Sequence, residues 1–138
     1  MWKILLPIDG SNHSIRALEY ALARKQRGDQ FSTVILHVQP EIPPSLYLGQ
    51  EVVDRWKASE LKRLDSKQKV KSLKSQLRAE FHVECGEAAK EIVSYAEKAK
   101  CQEIIMGTRG LGALKGLFMG SVATKVIQSA TVPVTLIK

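Results

Sequence analysis

Cysteine is nearly missing from this chain: Cys85 and Cys101 are its two thiols, and neither sits in a CxxC pair or a Cys/His cluster. That excludes a disulfide framework and a thiolate zinc tetrahedron, and free thiols are expected. The three histidines, His13, His37 and His82, are scattered without ligand spacing, so a metal is expected only in the company of a phosphate. Aromatic residues make up 6% of the chain, and the basic stretches are not interleaved with them apart from Trp56, which argues against a nucleic-acid surface. No apolar run approaches the ~20 residues of a membrane span. The opening MWKILLPIDGS carries too short an apolar stretch, with no basic n-region, for a secretory signal. The expectation is a cytoplasmic protein without a membrane partner.

What is present is ordinary for a folded domain. The chain has 138 residues, 44% hydrophobic and 25% charged, enough to bury one core without staples, and residues 1–138 are read as one domain. The net charge of +7 is unevenly placed. Between Asp54 and Arg78 nine Lys or Arg stand against three acids, an excess of +6 in one segment. A solvated helical face is the simpler reading of such a run, ahead of a partner site.

Strand and helix signals alternate. The run ending KILLPI is continuously apolar, as a parallel strand covered on both faces requires. Asp9, Gly10 and Ser11 turn the chain, and Ser11 or Asn12 can cap a helix striped by Ile15, Leu18 and Leu22. Phe31 to Val38 is a second buried strand, followed by a loop with Pro40, Pro43 and Pro44 that runs to about Gly49. From Val52 to Leu77 the apolar residues recur at roughly helical intervals, which predicts one long cationic helix. Phe81 to Cys85 reads as a third strand, and Ala89 to Ala99 as a helix. Glu103 to Met106 is a fourth strand, Ala123 to Ala130 a last helical face, and Val132 to Lys138 a fifth strand. Five strands alternating with four helices specify an α/β fold, a single doubly wound five-stranded parallel sheet with helices on both faces. Ligands of such sheets lie beyond the carboxyl ends of the strands, where strand order reverses, and that points to Asp9, Val38 and Gly107.

The chemistry-bearing segment is MGTRGLGALKGLFMGSVATKVI, with two residues between Gly107 and Gly110, nine between Gly110 and Gly120, and Ser121 directly after. Glycines let backbone N–H groups approach phosphate oxygens, and a helix starting near Ser121 presents unsatisfied donors with partial positive charge. It is not a Walker A loop, because Ala113 and Leu114 follow Gly112 where Lys and Ser or Thr would stand. A dinucleotide fingerprint would need another strand and an acidic residue further on, and this loop has one helix and one strand after it. Asp9 has a plainer reading as a helix cap. The trio of Asp9, Ser11 and His13 holds triad residue types at a spacing that rarely gives triad geometry.

Several segments resemble the universal stress protein family across the whole length. ILLPIDGS resembles the family's first strand and turn, HV at His37 and Val38 its second strand end, VECGEAAKEIV its third strand and helix, and IIMGTRGLG with GSVATKVIQSATVPVTLIK its ending. The spacing of Gly107, Gly110, Gly120 and Ser121 resembles the ATP-binding branch of that UspA-like family. The resemblance implies a Rossmann-like sheet related to that of the adenine nucleotide alpha hydrolases. It also implies that Pro7 and Asp9 border the adenosine, with the Asp9 carboxylate near the ribose, and that Val38 meets adenine through its backbone. Gly107, Thr108, Arg109, Gly110, Leu111, Gly112 and Ala113 would wrap ribose and phosphates, while Gly120, Ser121, Val122 and Ala123 would cap the terminal phosphates. ATP or another adenine nucleotide is therefore the expected ligand, with Mg²⁺ or Mn²⁺ left open. A homodimer through the C-terminal strand and a stress-response or signalling role are implied as well. Binding is expected rather than turnover, with at most slow ATP hydrolysis, since the chain shows neither a Walker lysine nor a second acidic pair for a metal.

Overall fold

The computed structural model describes residues 1–41, 49–110 and 119–138. The apolar opening becomes β1 (Trp2–Pro7), and Ser11 caps α1 (Asn12–Gln26), its side chain accepting the Ser14 N–H at 3.2 Å. β2 (Phe31–Gln39) follows, then α2 (Gln50–Asp65), α3 (Gln68–Leu77), β3 (Glu80–Cys85) and α4 (Ala88–Lys98). The chain ends with β4 (Glu103–Gly107), α5 (Ser121–Ser129) and β5 (Val134–Ile137).

The single long cationic helix expected from Val52 to Leu77 is two helices, so the described residues hold five helices and not four. Packing explains the break. Leu64 and Val70 are both fully buried, yet six residues of straight helix would turn the second about 240° away from the first. Interrupting the helix at Ser66 and Lys67 brings both inward. Ser66 Oγ donates to the Arg63 carbonyl at 2.8 Å, and Lys67, with extended φ −64 and ψ 118, starts the next helix. The last strand also begins later than expected, at Val134, because Pro133 has no N–H to give and offers only its carbonyl, to the Ile104 N–H at 2.9 Å.

All strand pairs are parallel, in the order β3-β2-β1-β4-β5. Alternate residues of each central strand enter opposite cores. Ile4, Leu6, Ile35 and Ile105 pack with Leu18 of α1 and Val70, Leu73 and Leu77 of α3. Leu5, Val34, Leu36, Ile104 and Met106 pack with Ile92 and Ala96 of α4 and Ala123 and Val126 of α5. This two-sided burial is why the strand sequences are continuously apolar. At the amino ends of the strands, buried Glu103 accepts from Arg24 Nη1 at 3.0 Å and from Thr135 Oγ1 at 3.0 Å, tying α1, β4 and β5 together. The carboxyl ends are left for a site, and the order reverses between β1 and β4.

Candidate functional site

A cavity of about 430 Å³ opens at that reversal, within the range of small-ligand pockets. Its described wall includes Pro7, Asp9, Val38, Gly107, Thr108, Arg109, Gly110, Gly120, Ser121, Val122 and Ala123. The structure thus brings together every sequence-predicted site residue that it describes. Leu111, Gly112 and Ala113 lie outside the described residues.

The β1 turn is built around Asp9. Its Oδ1 accepts the Ser11 N–H at 2.9 Å, and its own N–H donates to Ser14 Oγ at 3.4 Å. Ser11, not Asp9, caps α1, so the helix-cap reading of Asp9 gives way to a carboxylate that braces the turn and lines the cavity. Ser11 Oγ takes the Ser14 N–H and Ser14 Oγ donates to the Ser11 carbonyl at 2.9 Å. Both hydroxyls serve the helix start, which leaves no triad role for Ser11.

The glycines act by letting chains touch. A Cβ on Gly107 would lie 2.8 Å from the carbonyl carbon and the Cβ of His13, so only glycine lets β4 end against α1 there. A Cβ on Gly110 would run into Asp9 Oδ2, which places that oxygen against the glycine wall. Gly120 donates its N–H to the Thr108 carbonyl at 2.6 Å. That bond pins the two ends of the glycine-rich segment together, and it gives the Gly120 N–H a partner within the protein.

The helix starts differ in how they are satisfied. The carboxylate of Glu87 caps α4, accepting the Lys90 and Ala89 N–H groups at 2.9 and 3.4 Å. Those backbone bonds, that of Lys90 first, hold its carboxyl below the ordinary range. α5 has no side-chain cap. Its first turn, Ser121 to Ala123, lines the cavity with backbone donors and the positive end of the helix dipole.

Gln39, Arg63, Ala88 and Ile92 are among the wall residues not singled out from the sequence, and the strand-end His37, for which a structural role was the plainer reading, lines the cavity as well. His37 is buried, its Nδ1 2.8 Å from the Ile8 carbonyl and its Nε2 2.9 Å from Gln39 Nε2, so this network sets Nδ1 as the donor. Among the described residues no group of three His, Cys, Asp or Glu could hold a metal ion, and no helix is long and apolar enough to cross a membrane.

Fold and cavity define an open parallel α/β domain with a cavity at the reversal of strand order. The model of the universal stress protein family matches residues 1–138, and the chain belongs to that family. A universal stress protein of Methanocaldococcus jannaschii is 33% identical over 144 residues, covering 99% of this chain and 81% of the relative. The solved hypothetical protein MJ0577 is similar with a TM-score of 0.75 at 28% identity, covering 99% of this chain and 95% of that one. The universal stress protein from Archaeoglobus fulgidus in complex with dAMP shares the fold, with a TM-score of 0.60, 22% identity and coverage of 100% and 98%.

Proposed function

We propose that this universal stress protein binds ATP in the cavity between the ends of β1 and β4 and serves as a nucleotide-dependent stress-response and signalling module. The observation that carries this reading is the pairing, on one cavity wall, of the Asp9 carboxylate with the uncapped first turn of α5. A carboxylate accepts hydrogen bonds from ribose hydroxyls, and helix N–H groups donate to phosphate oxygens. A nucleotide supplies both partners in one molecule. Gly107 and Gly110 let the end of β4 close against His13 and Asp9, Pro7 and Val38 border the base, and Thr108 and Arg109 flank the phosphates. The Archaeoglobus protein carries an adenine nucleotide on the same fold.

Binding rather than turnover is the activity proposed. Among the described wall residues Asp9 is the one carboxylate, and both ring nitrogens of His37 are engaged within the protein, which supports binding over turnover. Mg²⁺ or Mn²⁺ would come with the phosphates, and hydrolysis would be slow. β5 lies at the sheet edge with half-buried residues, and we place the second copy of a homodimer along it. Nucleotide occupancy would then alter dimer state or partner choice in the cytoplasm.

The test is to denature protein purified without added nucleotide and analyse the released small molecules by chromatography and mass spectrometry. Stoichiometric ATP or ADP is expected. Protein that is empty and also ignores added ATP in a titration overturns the reading and leaves a dimeric interaction protein.

A further inference from the structure

The basic segment absorbed no function in the sequence, yet its first helix forms part of the cavity wall. α2 crosses the carboxyl ends of three strands in turn. Lys57 Nζ pairs with Glu84 of β3 at 3.2 Å. Glu60 accepts a short hydrogen bond from Gln39 at the end of β2, and its Oε2 lies 3.9 Å from His37 Nε2. Leu64 and Lys67 close over the β1 turn, with Leu64 Cδ2 3.4 Å and Lys67 Nζ 2.8 Å from where a Cβ of Gly10 would stand. Residues 57, 60 and 64 share one face of α2, Lys67 follows at the break before α3, and Arg63 sits beside that face, on the cavity.

We infer that Arg63 is a base-clamping residue, its guanidinium stacking on one face of a flat heteroaromatic ring whose other face meets the apolar start of α4. The inference rests on the nucleotide reading and deepens it. Arg63 Nε lies 3.2 and 3.0 Å from the two Glu60 oxygens, and Nη2 lies 2.9 Å from Oε2. With that edge of the fork spent on Glu60, and Glu60 tied to Gln39, the plane of the guanidinium is set from the sheet. The flat face remains for a ring, the use for which arginine is better suited than lysine. Ala88 and Ile92 line the same cavity from α4, which packs on the other side of the sheet from α1 and α3. The pair with Glu60 mutes the charge that Arg63 could offer a phosphate. Its place beside the end of β2 also separates it, across β1, from the α5 turn at the end of β4.

Isothermal titration of wild type, Arg63→Ala, Arg63→Lys and Glu60→Gln with adenosine, ATP and tripolyphosphate tests the clamp, with thermal melts of each ligand-free protein alongside. Arg63→Ala is expected to weaken adenosine and ATP by the same factor, about tenfold, and to leave tripolyphosphate unchanged. Arg63→Lys should fail to restore binding, and Glu60→Gln should give a smaller loss of the same pattern. The Arg63 side chain is 53% exposed, so the ligand-free melts should stay close to wild type, and Arg63→Lys serves as the folded control if the alanine variant does not. Adenosine bound equally by wild type and Arg63→Ala overturns the clamp alone. A loss confined to ATP and tripolyphosphate also overturns it, making Arg63 a phosphate contact. Wild-type protein that binds neither adenosine nor ATP overturns the nucleotide reading and the clamp with it.

Discussion

Substitution of Asp9 separates binding from folding within one side chain. Its Oδ1 accepts the Ser11 N–H at 2.9 Å, whereas Oδ2 lies against Gly110 on the cavity wall. Asp9→Asn keeps a carbonyl oxygen for Ser11 and removes the charge, and Asp9→Ala removes both. A part-buried hydrogen bond of this kind contributes about 1 kcal/mol. Asp9→Ala is therefore expected to lower Tm by about 3 °C in a domain of this size, and Asp9→Asn by about 1 °C or less. A charged acceptor for the ribose hydroxyls is worth about 1.5–3 kcal/mol, or about 10- to 150-fold in Kd. Both variants should show that loss for adenosine and for ATP in isothermal titration, while only alanine moves the melt of the ligand-free protein. If Asp9→Asn binds adenosine as wild type does, the carboxylate is a brace for the β1 turn and not a ribose contact.

Two glycines divide the remaining steric predictions. Gly120 has φ −74 and ψ 162, open to any residue, and a Cβ there would meet Thr108 O and Arg109 Cα at an ordinary 3.4 Å. Gly120→Val should abolish ATP binding by filling the space at the start of α5 while costing the ligand-free protein no more than about 4 °C in Tm. ATP retained by that variant would move the phosphates elsewhere. Gly107→Ala should instead destabilise the fold by about 2 kcal/mol in urea, since the backbone of His13 cannot retreat, and an unchanged midpoint would refute that packing. Glu87 gives a pH signature. Its carboxyl is held low by the Lys90 and Ala89 N–H groups, so its stabilisation is complete above the ordinary carboxylate range and lost as pH falls through the depressed value. The gap between wild type and Glu87→Ala in melts stepped from neutral pH to about pH 2 should close only at the acid end. A gap constant to the lowest pH would refute the cap.

The apolar run ending at Ile8 and the strand-like stretches at 31–38 and 103–106 announced strands covered on both faces, and the helical stripes between them announced the crossovers. The alternating order of these signals implied a parallel sheet, because a parallel pair needs a crossover and a crossover here is a helix. Gly107, Gly110, Gly120 and Ser121 were legible for a similar reason, since close backbone approach and a helix start leave local marks. What the tertiary structure decided is how distant elements meet. Leu64 and Val70 look like one interrupted stripe in sequence, and only their common burial shows that the helix must break between them. Whether Asp9 or Ser11 capped α1 depended on which oxygen met the Ser14 N–H. Arg63 belonged to a run read as a solvated face and Gln39 drew no reading at all, for nothing within a helix or a strand records which strand ends that helix will cross. Periodicity reports burial along one element, whereas a site is made of groups from several elements whose relative placement is set by packing.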